Sequence, residues 1–305
     1  MHSRTVAGRK RKLDDKSGVV PAVPVGGRFR ARDVYDLVRN QGVRDAVEVQ
    51  ALACKQDVDG DARLAEFCTA MGEERLNELI QNALAVVQAP RTLTLKQSAR
   101  VDLMRQAAIE LPCSCNGVWI PAAIRALWNN HEDVGSFCRD VWRALEFGAI
   151  RGANVAIIGE PGCGKSMLFE PFDGIFAVMG KPQNNSSFAL AGVLDAQVLL
   201  WQDWKQNDGT VLFEDVLSLL VGERMDIRVP NKKNVSFRNT SPLFYTSNTP
   251  LSVVRPDLQQ TTRLNAAMAE RFCTRTWHNP LPPAQRIANL PRCSRCCANF
   301  FVTYR

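Results

Sequence analysis

The sequence predicts an α/β fold with a parallel-sheet core, preceded by a helical domain. Before about residue 150, apolar residues recur at helical spacing and no strand pattern of comparable strength appears. From Asn154 onward, short apolar runs such as VAIIG, VLLWQ and PLFYTSN alternate with helical stretches, as buried parallel strands do when helices cover both faces of a sheet. The predicted divisions are a basic tail (1–28), a helical domain (29–150), an α/β domain (151–282) and a Cys-containing tail (283–305).

The helical domain is predicted from its periodicity. ARDVYDLVRNQG places Val34, Leu37 and Val38 on one face, and Gly42 supplies a stop. EERLNELIQNALAVVQ repeats the pattern, and we expect Pro90 to end that helix because proline has no backbone N–H. Further helical stretches continue to Gly152.

The net charge of +7 is concentrated in the tail. Residues 1–32 hold nine of the 38 Lys and Arg residues but only two of the 31 Asp and Glu residues, so the rest of the chain is neutral. A basic run of this kind is typical of a nuclear-import signal or a non-specific nucleic-acid arm, and equally of a solvated end. With no apolar run long enough for a membrane helix and no secretory signal, we expect an intracellular protein acting in the nucleus.

GEPGCGKS fits the phosphate-binding pattern G-x-x-x-x-G-K-[ST] and follows a predicted strand. Its glycines allow backbone amides to turn toward the phosphates of a nucleotide, while Lys165 reaches the outer phosphates and Ser166 holds Mg²⁺. We expect a helix over KSMLFEPFDGIFAVMG to open beneath the phosphates. The predicted nucleotide-binding residues are Gly159, Glu160, Pro161, Gly162, Cys163, Gly164, Lys165 and Ser166.

Other polar residues stand at the ends of predicted strands. Asp203 ends VLLWQD and is predicted to position Mg²⁺ and the attacking water. Asn248 ends PLFYTSN, where it would hold a water or the terminal phosphate. Arg271 lies between a helix and a strand, where it would complete the site of a neighbouring subunit.

Between these residues, MDIRV and VSF predict a hairpin whose tip carries Lys232 and Lys233. Adjacent lysines on an exposed turn suit a phosphate backbone, although such pairs are also common on solvated surfaces. We predict a contact with DNA at these two lysines.

The order of these motifs resembles the superfamily 3 helicases of small DNA viruses, such as parvovirus replication proteins, papillomavirus replicative helicases and polyomavirus large T antigens. In that family an AAA+ ATPase carries a Walker A loop, a Walker B acid, a lysine-bearing hairpin, a sensor asparagine and an arginine finger. The matching segments here are GEPGCGKS, VLLWQD, GERMDIRVPNKKN, LFYTSN and AERF. The resemblance implies ATP and Mg²⁺ as cofactors, single-stranded DNA as partner and a homo-oligomeric, hexameric ring.

Two departures from the family pattern matter. Gln202 precedes Asp203 where the family has two adjacent acids, so we expect Asp203 to act alone through water. The three histidines, His2, His131 and His278, are far apart in sequence, so we expect no nicking endonuclease in this chain.

The ten cysteines suit a reducing compartment. C-x-x-C at Cys293 and Cys296 supplies half of a zinc site, which Cys113 and Cys115 would complete. The pattern alone favours ordinary reduced thiols.

The sequence therefore predicts an ATP-driven translocase that moves hairpin lysines along one DNA strand. Three alternatives remain: a P-loop ATPase without helicase function, a degenerate nucleic-acid- or protein-binding module, and, least favoured, a small-molecule kinase.

Overall fold

The computed structural model describes residues 27–184, 186–230, 234–286 and 290–305. The basic segment 1–26 and the predicted DNA contacts Lys232 and Lys233 lie outside the described residues. The chain forms two compact units, Met1–Ala89 and Pro90–Arg305. In the described part of the chain, no helix is both long enough and apolar enough to span a membrane.

The first unit is helical, as predicted. It contains α1 (Ala31–Gln41), α2 (Ala46–Val58), α3 (Arg63–Met71) and the first part of α4 (Glu73–Gln97). The apolar faces of these helices meet in one core that includes the predicted residues Val34, Leu37 and Val38. The Asp45 side chain accepts a hydrogen bond from the Glu48 N–H, 2.9 Å away, and so caps the start of α2.

The prediction that Pro90 ends a helix is wrong, because α4 continues through it to Gln97. Proline removes one backbone hydrogen bond, and contacts made farther along can compensate for that loss. Within the second unit, Arg91 donates to the Gly174 carbonyl at 3.1 Å, Lys96 pairs with Asp195 at 2.7 Å, and Leu95 packs against the core.

The second unit is α/β. Its helices are α5 (Arg100–Glu110), α6 (Trp119–Asn129), α7 (Val134–Phe147), α8 (Phe213–Leu220), α9 (Leu258–Ala269) and α10 (Ser294–Thr303). Its strands are β1 (Asn154–Gly159), β2 (Val178–Gly180), β3 (Val198–Gln202), β4 (Arg224–Ile227), β5 (Val235–Arg238), β6 (Leu243–Ser247) and β7 (Phe272–Trp277).

Five strands form a parallel sheet in the order β2-β3-β6-β1-β7, which confirms the predicted fold class. In parallel strands all carboxyl ends lie at one edge of the sheet. The loops that follow β1, β3 and β6 therefore meet at that edge, with β6 between the other two strands.

Both faces of the sheet are buried, which explains the continuous apolar runs. On one face, Val155 and Ile157 of β1 pack in a cluster with residues of α5, α6, α7 and α10. On the other face, Ala156 and Ile158 pack in a cluster with residues of α8.

These clusters correct two predicted boundaries. Helices α5 to α7 share a core with the sheet, so residue 150 does not divide two domains. The segment 283–305 is not a simple tail, because α10 buries Phe300 and Phe301 in the same core.

Asn154 holds the amino end of β1 in place. Its fully buried side-chain amide donates to the carbonyls of Leu220 at 2.9 Å and Arg271 at 3.0 Å, and its Oδ1 accepts from the Leu243 N–H at 2.8 Å. One side chain thus joins β1 to the end of α8 and to the beginnings of β6 and β7. Because it satisfies three backbone groups in the interior, it stabilises the alignment of the strands that present the site.

Candidate nucleotide-binding site

The predicted phosphate loop leaves the carboxyl end of β1, as expected. Gly162 and Gly164 adopt φ values of 82° and 90°, in the left-handed region that favours glycine. At Gly159, a Cβ would lie 1.8 Å from the Trp277 carbonyl oxygen, so β1 and β7 approach too closely for any side chain there. All three glycines are therefore required by the backbone.

The helix predicted after the loop is absent. Ser166–Leu168 and Glu170–Gly174 form two short 3-10 turns instead, and β2 begins at Val178. Pro171 cannot donate a backbone hydrogen bond, and Gly174 favours an irregular end. The turns bury Leu168, Phe169 and Phe172 in the core. Phosphate binding at this loop would therefore depend on its N–H groups and Lys165, without help from a helix dipole.

Lys165 is the best-positioned cation of the loop. Its side chain crosses the loop, and Nζ donates to the carbonyls of Gly159 and Glu160, each at 2.7 Å, and to Asn248 Oδ1 at 3.2 Å. The residue is only 7% exposed, and this burial lowers the pKa of its ammonium, while nearby Cys163 and Asp203 act in the opposite direction. These acceptors occupy the three N–H donors of the ammonium, so an anionic group would have to replace at least one of them.

Asp203 follows β3 directly and is exposed at the same edge. Its φ is 48°, an uncommon conformation for a residue with a side chain, and its N–H donates to the Thr246 carbonyl at 2.8 Å. That hydrogen bond fixes the start of the loop against β6. Strain of this kind is often found at functional sites.

Two buried polar atoms beside Asp203 have no hydrogen-bond partner within the described chain: Gln202 Nε2 and Thr246 Oγ1. Gln202 and Thr246 face each other across β3 and β6. Gln202, which replaces the expected second acid, lines a cavity with Asp173, Lys181 and Arg292, none of which belongs to the phosphate loop.

The residues present fit a magnesium-bound nucleotide. Ser166 and Asp203 offer a hydroxyl and a carboxylate, the hard oxygen ligands that Mg²⁺ prefers. The left-handed glycines and Lys165 are suited to the phosphates.

A cavity of about 200 Å³ adjoins the loop on the side of α6. Gly162 and Gly164 line it together with apolar groups from Met167, Leu281 and Leu290. The Leu281 N–H donates to the Gly162 carbonyl at 3.1 Å, which holds the segment after β7 against the loop. The apolar lining is suited to a planar base. The sequence analysis did not identify Met167, Leu281 or Leu290 as residues near the loop.

Arg286 and Arg125 add positive charge to this cavity. Arg286 Nε donates to the Leu281 carbonyl at 2.8 Å, and a Cβ built on Gly162 would lie 2.7 Å from its guanidinium. Larger cavities exist, including one of about 400 Å³ beside β4, but that cavity contains no phosphate loop.

The predicted hairpin is confirmed. Strands β4 and β5 pair antiparallel with Arg224 opposite Arg238 and Ile227 opposite Val235. Lys232 and Lys233 fall in the connection between them, outside the described residues. Arg228 follows β4 directly in the same connection, where its side chain is exposed.

Arg271 is placed differently from the expected finger. It is 8% exposed, and its guanidinium donates to the carbonyls of Leu217, at 2.9 Å, and Ala267, both within its own chain. These carbonyls belong to the last turns of α8 and α9, which have no helical partners. Arg271 thus caps two helices at the amino edge of the sheet, opposite the phosphate loop, and its guanidinium is not displayed to a neighbouring subunit.

The cysteines that the sequence offers as two separate pairs come together in space. The sulfurs of Cys113, Cys115, Cys293 and Cys296 all lie within 4.8 Å of one another. The sequence alone does not show this proximity, because the two pairs are about 180 residues apart.

Comparisons with known proteins do not name a family. No family model matches the sequence, and no curated protein matches it. Among solved structures, a JCV helicase is 11% identical over 90% of this chain and 85% of its own, with a TM-score of 0.46. The apo C-terminal region of NrS-1 is 15% identical over 59% of this chain, with a TM-score of 0.40. This chain spans only 45% of that NrS-1 chain. At TM-scores below 0.5 neither neighbour supports a conclusion about this chain.

Proposed function

We propose that this chain binds ATP with Mg²⁺, hydrolyses it, and uses the energy to move along single-stranded DNA, in the manner of the superfamily 3 helicases that its motif order resembles. The observation that carries the proposal is the convergence of Lys165, Asn248 and Asp203 at the carboxyl ends of three adjacent strands.

Each residue has a role that follows from its position. Loop N–H groups made accessible by Gly162 and Gly164 surround the phosphates, and Lys165 exchanges its loop carbonyls for phosphate oxygens. Ser166 and Asp203 hold Mg²⁺, and Asn248 orients the terminal phosphate or a water. When bound, the nucleotide supplies a γ-phosphoryl group for transfer to water.

Motion along DNA is the second part of the proposal. It rests on the confirmed hairpin and on the two lysines that the sequence places in its connection. A ring of identical subunits would repeat these lysines around a channel, which requires no broadly basic surface. A homo-hexamer acting in the nucleus is the assembly that the resemblance and the basic tail favour.

The first test is ATP turnover in Lys165→Ala, compared with Lys55→Ala, which removes an exposed lysine of α2. We expect at least about a 100-fold loss of turnover in the first variant and none in the second. A fluorescent ATP analogue and a thermal melt of both variants separate lost binding from lost folding. If Lys165→Ala hydrolyses ATP at the wild-type rate, the proposed site is wrong.

A nucleotide-dependent module that does not hydrolyse ATP is the second candidate. Gln202 in place of an acid favours it, because only Asp203 is left to position water. If the wild-type chain binds ATP through Lys165 without turnover, this candidate is correct.

A further inference from the structure

Four cysteines from two distant segments converge on one point. Cys113 and Cys115 lie between α5 and α6, whereas Cys293 caps α10 and Cys296 lies in its first turn. Cys115, Cys293 and Cys296 are buried, and Cys113 is at the surface. Both segments belong to the second unit, and they are about 180 residues apart in sequence.

The distances between the sulfurs match a tetrahedron. Cys115 and Cys296 are 3.4 Å apart, and Cys113 lies 3.6 Å from Cys296 and 3.9 Å from both Cys115 and Cys293. Four sulfurs bound at about 2.3 Å to one central ion would be about 3.8 Å apart. A disulfide needs about 2.05 Å, and all four thiols are free.

The surrounding backbone is arranged as in metal sites. Asn116 and Gly117 adopt φ values of 49° and 82°, which turns the chain sharply between Cys115 and α6. The N–H groups of Cys115 and Gly117 face the Cys113 sulfur, and Ser114 directs its N–H and hydroxyl at Cys293. Donors of this kind orient metal ligands.

We propose that Cys113, Cys115, Cys293 and Cys296 bind one zinc ion in a closed structural site. Four thiolates at tetrahedral spacing select zinc, or alternatively iron, over the hard cations. Since all four positions of the ion are occupied by protein, no position is left for a substrate or a catalytic water.

The site would fasten α10 to the rest of the second unit. Beyond the cysteines, Ser294 Oγ donates to the Pro171 carbonyl at 2.8 Å, and Cys297 Sγ contacts the Leu168 carbonyl at 3.7 Å. Both carbonyls belong to the turns that follow the phosphate loop. The ion would therefore stabilise the support beneath Lys165 and Ser166 as well as the core.

The test is to purify the full chain without chelator and to measure its metal content by elemental mass spectrometry. We expect one zinc per chain in the wild type and in Cys54→Ser, which alters an exposed cysteine of α2, and none in Cys115→Ser or Cys296→Ser. Chelation of the wild type should lower Tm by about 10 °C or more.

A second measurement uses only the wild type, so it remains valid if the variants fail to fold. Alkylation of the native wild type, mapped by peptide mass, should label Cys54 and spare the four ligands until zinc is removed. Less than one tenth of a zinc per chain, together with rapid alkylation of all four, would overturn the proposal. Iron in place of zinc, or loss of zinc in Cys54→Ser, would also overturn it.

Discussion

The ammonium nitrogen of Lys165 lies 3.2 Å from Oδ1 of Asn248, which joins the phosphate loop to the end of β6. Because β6 runs between β1 and β3, Asn248 stands between Lys165 and Asp203. In the proposed function, Asn248 would therefore act on the nucleotide phosphates beside Lys165.

Asn248→Ala should lower kcat for ATP about 100-fold and leave KM nearly unchanged, since an orienting group acts mainly in the transition state. Steady-state kinetics measure both constants. Asn299→Ala, at an exposed position of α10, is the matched control and should retain both. A large rise in KM with unaltered kcat would show instead that Asn248 contributes only to ground-state binding.

Replacement of Lys232 and Lys233 by alanine should abolish the stimulation of ATP turnover by single-stranded DNA and preserve the basal rate. The sequence predicts that these lysines contact the phosphate backbone of DNA, and neither is among the predicted nucleotide-binding residues. The control is the double variant Lys55→Ala/Lys181→Ala, which removes two exposed lysines elsewhere. If stimulation persists in the hairpin variant, the translocase part of the proposal fails while the ATPase part stands.

Arg271→Ala should destabilise the folded chain by about 3 kcal/mol, because two carbonyls lose a charged donor inside the protein. Urea unfolding measures the change. Arg263→Ala, on the exposed side of α9, should change the free energy of unfolding by no more than about 0.5 kcal/mol. Unchanged stability of Arg271→Ala with lost ATP turnover would restore the arginine-finger interpretation.

Gly159→Ala should lower the free energy of unfolding by about 3 kcal/mol or more. The new methyl group would clash with the Trp277 carbonyl, and neither paired strand can move away easily. Gly180→Ala is a well-matched control: it also changes the last residue of a strand, yet nothing lies within 4 Å of its Cβ position. Equal stability of the two variants in urea unfolding would contradict the close approach of β1 and β7.

Stability should fall at alkaline pH partly through Cys138. Burial raises the pKa of this thiol from 9.0 to about 12, so the folded state keeps the proton that the unfolded state releases. The contribution is complete below pH 9 and is lost as the pH rises toward 12. When the pH rises from 9 to 10, the free energy of unfolding of Cys138→Ala should therefore fall by about 1 kcal/mol less than that of the wild type.

Urea unfolding at each pH measures this slope. Cys54→Ala, at an exposed position, should follow the wild-type slope. A Cys138→Ala variant with the full wild-type slope would show that other groups account for the alkaline loss.

The sheet and the edge that carries the site were predictable because their signals are local. Buried parallel strands such as β1, β3 and β6 are continuous apolar runs, and the polar residues that follow them must meet at one edge. Gly162 and Gly164, which belong to the phosphate-loop pattern, adopt left-handed dihedral angles that favour glycine.

What the sequence did not predict depends on partners far along the chain. The proline inside α4 is tolerated because of contacts with Gly174 and Asp195, about 80 to 100 residues away. The hydrogen-bond partners of Arg271 and Asn154 are not at regular intervals along the sequence, so no sequence pattern predicts them. The absent helix after Ser166 is a different case, because Pro171 and Gly174 disfavour a helix there on local grounds.

The position of β1 has a consequence for how the protein is made. Its two neighbours in the sheet are β6 and β7, whose pairing residues come roughly 90 and 120 positions later in the chain. During synthesis the phosphate loop therefore leaves the ribosome well before the strands that fix its shape. If the chain binds a nucleotide as proposed, that competence would arise only after residue 277 has emerged, when β1 has both of its neighbours in the sheet.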